Sequence, residues 1–551
     1  MCIINIDGSA VNYTEGMTYI DAIRATNPER ADGALAVRVA GIIRGLDEKI
    51  QPGADAVTLD FTNEEGRRVY ERSLRFVFLL AMHQMYPGKR VRFENSMGGG
   101  VYITLPDDVF LSTPAVSRIQ ARMRELISAD MPFTRMEVSQ AEALDYFYDC
   151  GWDDKVELLR YRAEENFCLY ECGGLKEYFY GVMAPSTGYV RTFALHFCMP
   201  GIMLMLPDKA DCTRPRPFIE QPKLARVLAE TARWNEILGC SNVADLNRMT
   251  IDRSLREFIR VNEALQARAI ADIADRFVES GARVMLIAGP SSSGKTTFTH
   301  RMAIELRVLG LKPLLISLDD YYLSRDEMTP RADGTYDLEA LEALDVRLFN
   351  EQLVSLLQGQ SVHLSRFDFT KKRRSLSDTA TQLMPGQPII IEGIHGLNDA
   401  LTPDITNGAK FRVYISALTQ LNLDDHNRIR TTDARLIRRM VRDYQFRASP
   451  VDRTFDMWPD VVRGEEKNIF RFQEHADVMF NSSLMYELAI LKGYAVPLLS
   501  AVSPDSPHYT KARRLLDFLS YFVEAHVEDE VPVNSILREF IGGCCFYRDK
   551  D

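Results

Sequence analysis

The chain has 551 residues, more than one domain usually holds, so two or three separately packed units are expected. Its residues are 46% hydrophobic and 26% charged, and no uninterrupted apolar stretch is long enough to cross a bilayer, so a membrane-spanning helix is not expected. The formal net charge of -11 argues against a general binder of phosphate backbones and leaves any nucleic-acid role to a local patch.

The opening "MCIINIDGSAVNY" has neither a basic segment nor a following apolar segment of the secretory kind, so no signal is expected. Nine cysteines without C-x-x-C spacing fit a reduced, cytoplasmic protein. Residues 1–60 read as a small α+β unit, with a strand in "CIINIDG", a turn at "DGSA" and a helix in "TYIDAIRATN", the pattern of a ubiquitin-type roll. Residues 61–225 are mixed, with a helix in "ERSLRFVFLLAMHQMY" and strands in "GGGVYITL" and "GYVRTFALHF". The proline- and charge-rich "PDKADCTRPRPFIEQPK" closes that region. Residues 226–280 carry Leu255, Phe258, Ile259, Leu265, Ile270 and Ile273 at helical spacing and predict a helical linker.

Over 281–505 the rhythm changes to short apolar runs, "RVMLIA", "KPLLISL", "QPIIIEG", "FRVYIS" and "AVPLLSAV", separated by helical stretches. Such runs suggest parallel strands covered on both faces, hence a doubly wound α/β domain. Residues 506–551 read as a helical tail.

"GPSSSGKTTF", residues 289–298, follows the first of these runs and precedes a helix with Phe298, Met302, Leu306 and Leu309 on one face. It fits G-x-x-x-x-G-K-[ST] in the required strand-to-helix context, the P-loop of nucleoside triphosphate binders. Gly289, Ser291, Ser292, Ser293, Gly294, Lys295, Thr296 and Thr297 are the expected triphosphate cradle: glycines let the backbone curl so that amides face phosphate oxygens. Lys295 is expected to reach the β/γ-phosphates, and Thr296 to hold Mg²⁺. Asp319, Asp320, Tyr321 and Tyr322 follow the second run, where open α/β sheets place reacting groups. A carboxylate there can accept the proton of an attacking hydroxyl. Glu392 ends the third run and can hold the water shell of Mg²⁺. Arg435, Arg438, Arg439 and Arg442 lie at helical spacing, as a solvated face or as a lid that neutralises charge in transfer.

"GPSSSGKTT", "SLDDYY", "TYDLEALEALD", "RFDFTKKRR", "IIIEG" and "DARLIRR" resemble, in order and spacing, the uridine kinase and phosphoribulokinase branch of P-loop kinases, uridine kinase above all. The resemblance covers about 283–500. It implies a P-loop NTPase sheet, Mg²⁺, and ATP or GTP as phosphate donor. It further implies Asp319 as general base for a nucleoside 5′-hydroxyl, Tyr322 lining the nucleoside site and Asp337 holding ribose hydroxyls. Arg435 would contact the nucleoside, and Arg438 a phosphate as a catalytic residue beside Lys295. Where uridine kinases carry a tyrosine and then a histidine, this chain has Phe367 and Lys372, which leaves the nucleobase open.

"DGSAVNYTEGMTYIDAIRATNP" resembles the TGS domain of threonyl-tRNA synthetases, and "EEGRRVYERSLRFVFLLAMHQMYPGKRV", "YECGGLKEY" and "PSTGYVRTFAL" resemble their editing domain. That family's editing site uses three histidines and a cysteine. Arg72, Phe76, Cys172 and Lys176 align with those four positions, so neither zinc binding nor deacylation is expected of this half.

The resemblances imply a nucleoside kinase with uridine or cytidine as first candidates. Two alternatives stay open: a kinase of another small alcohol, and a nucleotide-gated RNA- or ribosome-associated regulator. A small-molecule substrate is the expected partner, with nucleic acid admitted only through the N-terminal half and a homo-oligomer compatible with either reading. The part from about 226 is expected to keep kinase activity when isolated.

Overall fold

The computed structural model describes the chain except residues 1, 54, 107, 163–165, 332–333, 369–370 and 548–551. At the front, five strands form one mixed sheet in the order Ser9–Tyr13, Cys2–Ile6, Ala56–Leu59, Ala36–Val39, Ile42–Arg44. The helix Tyr19–Thr26 packs Tyr19, Ile20 and Ile23 into the core of this unit. Thr18 starts it by accepting the Asp21 amide at 3.3 Å, a side-chain N-cap.

The next region is built on helix α1, Glu64–Met85, whose middle is buried nearly all round. A four-stranded antiparallel sheet runs in the order Ala194–Cys198, Gly201–Met205, Gly100–Thr104, Arg92–Met97. A second, three-stranded sheet runs Leu175–Glu177, Asn166–Cys172, Thr134–Ser139. The linker is three helices: Pro222–Leu238, Val243–Asp252 and α2, Leu255–Glu279. On α2 the apolar spacing of the sequence is buried except at Leu265, which is half-buried, and polar Asn262, Glu263 and Gln266 join the buried face.

The kinase-like sheet comprises β1 Val284–Ala288, β2 Leu314–Ser317, β3 Ile389–Glu392, β4 Lys410–Ser416 and β5 Val478–Asn481, all parallel in the order β2-β3-β1-β4-β5. β1 and β3 are buried at every position, the pattern of strands covered on both faces. Helix α3, Lys295–Val308, follows β1 and buries Phe298, Met302 and Leu306. Leu309 is its C-cap and is exposed, so it does not extend that stripe. One expected strand is corrected: "AVPLLSAV" lies largely in the helix Glu487–Ser500, and the fifth strand is Val478–Asn481. A short apolar run does not distinguish a strand from a buried helix, and here burial on several faces resolves it as helix.

Helix α4, Thr431–Phe446, and helix α5, Tyr509–Leu519, complete the frame. One apolar core runs across the 225/226 boundary: Phe147, Leu158 and Phe167 of the second region share it with Leu246 and Ile270 of the linker, Phe298 and Leu436 of the kinase part, and Phe518 and Phe540 of the tail. The part from about 226, expected to keep kinase activity when isolated, shares this core with the front half.

Candidate active site

Strand β1 delivers the chain to Gly289, where an added Cβ would stand 2.0 Å from the Ile415 carbonyl oxygen, so only glycine passes beneath the neighbouring strand's end. Ser292 and Gly294 take left-handed φ values of 60° and 80°, and α3 starts at Lys295 directly after this turn. The curl leaves the first amides of α3 without intrahelical acceptors. The hydroxyls of Ser292 and Ser293 are buried with no partner among the described residues. Orphaned donors at a helix N-terminus form a cradle for phosphate oxygens, and the fit to a triphosphate rests on them.

The Lys295 ammonium donates to the Gly289 carbonyl at 2.9 Å and the Pro290 carbonyl at 3.2 Å, lying across the loop. Its charge acts on three carboxyls: Asp319, Glu339 and Glu392. Asp319 follows β2 and is solvent-exposed, and desolvation by the surrounding protein raises its carboxyl above the ordinary value against the pull of Lys295, Arg447 and Arg442. Glu392 ends β3, is buried, and accepts the Ser317 hydroxyl at 2.9 Å. Burial, and then the charge of Asp319, push it up to about 7. Glu339, two residues past Asp337, is raised to about 7 by burial and by Glu465.

Among the described residues no three metal-ligating His, Cys, Asp or Glu side chains form a cage. Mg²⁺ seldom needs one, since one or two carboxylates, a hydroxyl, phosphates and water complete its octahedron. The hard oxygen donors of Thr296 and Glu392, with more carboxylate than Lys295 alone can neutralise, suit that ion.

The arginines of α4 lie differently from a solvated face. Arg435 is buried, pairs with Glu465 at 2.5 and 2.6 Å, and donates to the Ser291 carbonyl at 3.2 Å. Glu465 in turn accepts the Ser291 amide at 2.9 Å. Arg438 is fully buried against Glu487, with Nε to carboxylate at 3.1 Å, and donates to the Ser292 carbonyl at 3.3 Å. Arg439 donates to the Ser291 hydroxyl at 2.9 Å. Three guanidinium groups thus fasten the phosphate loop, while Arg442 and Arg447 supply the charge felt by Asp319. Sequence reading missed the partners Glu465 and Glu487, because each comes from a helix with no motif around it.

It also missed the tail. Thr297 donates to Glu539 at 2.8 Å and lies 3.3 Å from the Tyr547 hydroxyl, and a Cβ on Gly294 would stand 2.5 Å from Ile536. Residues 536–547 therefore buttress the loop from the side of α3.

On the acceptor side the Tyr322 and Phe367 rings meet edge to face at 6.0 Å, and the Tyr322 hydroxyl donates to the Leu338 carbonyl at 3.0 Å. Asp337 pairs with Arg331 at 2.9 Å. Phe367 lies in the strand Ser365–Asp368, which pairs with Arg373–Leu376. Lys372 sits exposed just before the return strand with φ at 53°, and its carbonyl accepts the Arg325 amide at 3.4 Å.

In the front half, Phe76 packs edge to face on Phe133 at 5.2 Å. Cys172 is buried, its thiol pushed up to about 12 by desolvation. Lys176 lies over the Tyr146 ring at 5.3 Å. Arg72 faces a separate cavity.

Comparison with known proteins follows the same division. A threonine–tRNA ligase of Symbiobacterium thermophilum is 28% identical over 190 residues, 34% of this chain and 29% of that one. One from Desulforamulus reducens is 28% identical over 34% of this chain and 30% of its own. The chain spans about three-tenths of the length of these relatives. Among solved structures, a "possible uridine kinase" from Bacillus stearothermophilus aligns at TM-score 0.27 and 19% identity, covering 38% of this chain and 98% of that one. A D-glycerate 3-kinase from Cryptococcus neoformans var. grubii aligns at TM-score 0.19 and 13% identity, over 51% and 89%. No helix of the described residues is long and apolar enough to cross a membrane. Residues 284–488 match the model of the phosphoribulokinase / uridine kinase family, and the front region is similar to threonine–tRNA ligases.

Proposed function

We propose that the protein transfers the γ-phosphoryl group of ATP to the 5′-hydroxyl of a ribonucleoside, with uridine and cytidine as first candidates. The observation that carries this reading is Asp319 beside Lys295 and Glu392 at the carboxyl ends of adjacent strands, next to a loop with orphaned donors. A nucleotide switch has no use for a carboxyl poised to take a proton. The raised affinity of Asp319 for protons suits a general base.

In this reading Asp319 accepts the proton of the attacking hydroxyl, and Lys295 holds charge on the phosphate side. Arg435, Arg438 and Arg439 fix the loop through Ser291 and Ser292, so much of catalysis is positioning. Arg438 would bear on phosphate through that loop. Tyr322 and Phe367 offer aromatic faces to a base, and Asp337 offers a carboxylate to ribose hydroxyls. Thr296 and Glu392 would hold Mg²⁺, which would supply neutralisation of charge on the transferring phosphate.

The test is a panel of ribonucleosides and of small phosphorylated and free sugars, each with ATP or GTP and Mg²⁺, read by coupled release of the nucleoside diphosphate. Turnover with at least one free ribonucleoside is expected. Turnover confined to another alcohol would replace the acceptor, and none with any acceptor would sink the kinase reading.

A further inference from the structure

Away from the phosphate loop, a cavity of about 250 Å³ opens where five parts of the chain meet. Its walls come from Gly41–Ile43, from α1, from Tyr180–Val182, from the segment just before α4, and from α5. Seven arginines and three carboxylates line it, a formal excess of four positive charges that Asp433 and Glu64, each bonded to Arg68 from behind the wall, lower to two. We propose that this cavity binds a small organic phosphate bearing at least two negative charges.

The charge inside is not internally balanced. Glu71 alone faces Arg428 at 2.9 Å, Arg430 at 2.5 Å and Arg75 at 4.0 Å. Arg72 has no carboxylate within 4.0 Å among the described residues; its guanidinium donates to the Val182 carbonyl, and a Cβ on Gly181 would stand 2.6 Å from it. Among the described residues the exposed Arg513 is paired with Asp517, at 4.0 Å along its own helix. Among the described residues the Nε groups of Arg68, Arg75 and Arg514 are buried without a hydrogen-bond partner, Glu65 standing 3.6 Å from Arg514 Nε. Burial and mutual repulsion pull Arg75 and Arg430 down to about 10, and burial lowers Arg72 as well. A set of buried guanidinium groups sharing too few carboxylates is a costly arrangement unless an anion completes it.

Guanidinium forks match phosphate oxygens two at a time, and the further oxygens and second charge of a phosphate can engage additional arginines that a lone carboxylate would leave unpaired. The volume admits a small molecule and not a folded chain. Arg72 occupies the position where the synthetase editing site would carry a histidine, so the old catalytic helix now presents a cation. The cavity also touches the kinase machinery. Asp433, in the first turn of α4, pairs with Arg68 at 2.9 Å and Arg514 at 2.7 Å, while Arg435, Arg438 and Arg439 on the same helix hold the phosphate loop.

Inorganic pyrophosphate is the probe, titrated calorimetrically into full-length Lys295→Ala protein so that the phosphate loop lacks its cation. Stoichiometric binding is expected, weakened at least about tenfold by adding either Arg72→Met or Arg513→Met and falling as salt rises. Neither arginine holds a carboxylate closely, so each variant should melt within about 2 °C of its Lys295→Ala parent without pyrophosphate. No binding up to about 1 mM, or binding indifferent to both substitutions, would overturn the site. Binding of a single-stranded RNA end in place of pyrophosphate would overturn the small-ligand assignment.

Discussion

Lys295 is a cation whose field reaches Asp319, Glu339 and Glu392 together, so its removal acts on more than the phosphate it would hold. Lys295→Ala should bring phosphoryl transfer below detection. Asp319→Asn should bind nucleotide normally but lower kcat by about 10²- to 10⁴-fold, the usual contribution of a general base. Steady-state kinetics beside a nucleotide-binding titration separates the two, and a near-normal kcat in Asp319→Asn would refute the assignment. Glu392 gives a second expectation. Its carboxyl is raised to about 7, so it is protonated below that pH and becomes an anionic ligand above it. The apparent affinity for Mg²⁺ should therefore rise about tenfold between about pH 6 and pH 8, the change in its ionised fraction. Glu392→Gln should flatten that dependence, and an equally steep profile in the variant would assign the proton elsewhere.

At the scale of the element, α4 shows how buried charge organises the loop. Arg435→Met would leave Glu465 buried without its cation, at a cost of about 3–5 kcal/mol in a urea melt, and Glu465→Leu in the same chain should recover part of the loss. Equal stability of the single and double variants would show that the pair is solvated in solution. The hairpin holding Phe367 gives a specificity test. Lys372→His should change the ratio of kcat/KM between nucleosides more than the best value itself, and an unchanged ranking would show that Lys372 points away from the base. Of this site the sequence made legible what is local. Gly289 to Thr297 and Asp319 are fixed by a strand, a turn and a helix start, each with its own residue signature. The facing of Arg435 and Arg438 was not legible, because it is decided by Glu465 and Glu487, 30 and 49 residues further on. The same limit misplaced the fifth strand. Nor could any local pattern show the arginine cavity, whose walls are assembled from distant segments.

At the scale of the whole molecule, the two halves share more than a seam. The turn around Asp424–Asn427 enters the front half, where Asp424 and Glu177 flank the buried Lys155 ammonium at 2.9 and 2.8 Å. The His426 ring meets Glu177 at 2.5 Å, and the Phe93 amide donates to the Asp425 carbonyl at 2.8 Å. Cutting the chain near 226 removes Lys155 and Glu177 and exposes the apolar core that Phe147, Leu158 and Phe167 share with Leu246 and Leu436. Buried polar partners lost in this way are costly, and the exposed patch favours association. Residues 226–551 expressed alone should aggregate or bind a hydrophobic dye and show no cooperative melt, whereas co-expression with residues 1–225 should return a soluble, active complex. A subtler variant separates the ionic share from the apolar one. Lys155→Met keeps the chain whole but strands Glu177 and Asp424, and should lose about 3–5 kcal/mol of stability while leaving KM for nucleotide unchanged in the folded fraction. An isolated 226–551 fragment with a sharp melt and full kcat would show that the shared core is dispensable, and the front half would then be an appendage and not part of the kinase's folding unit.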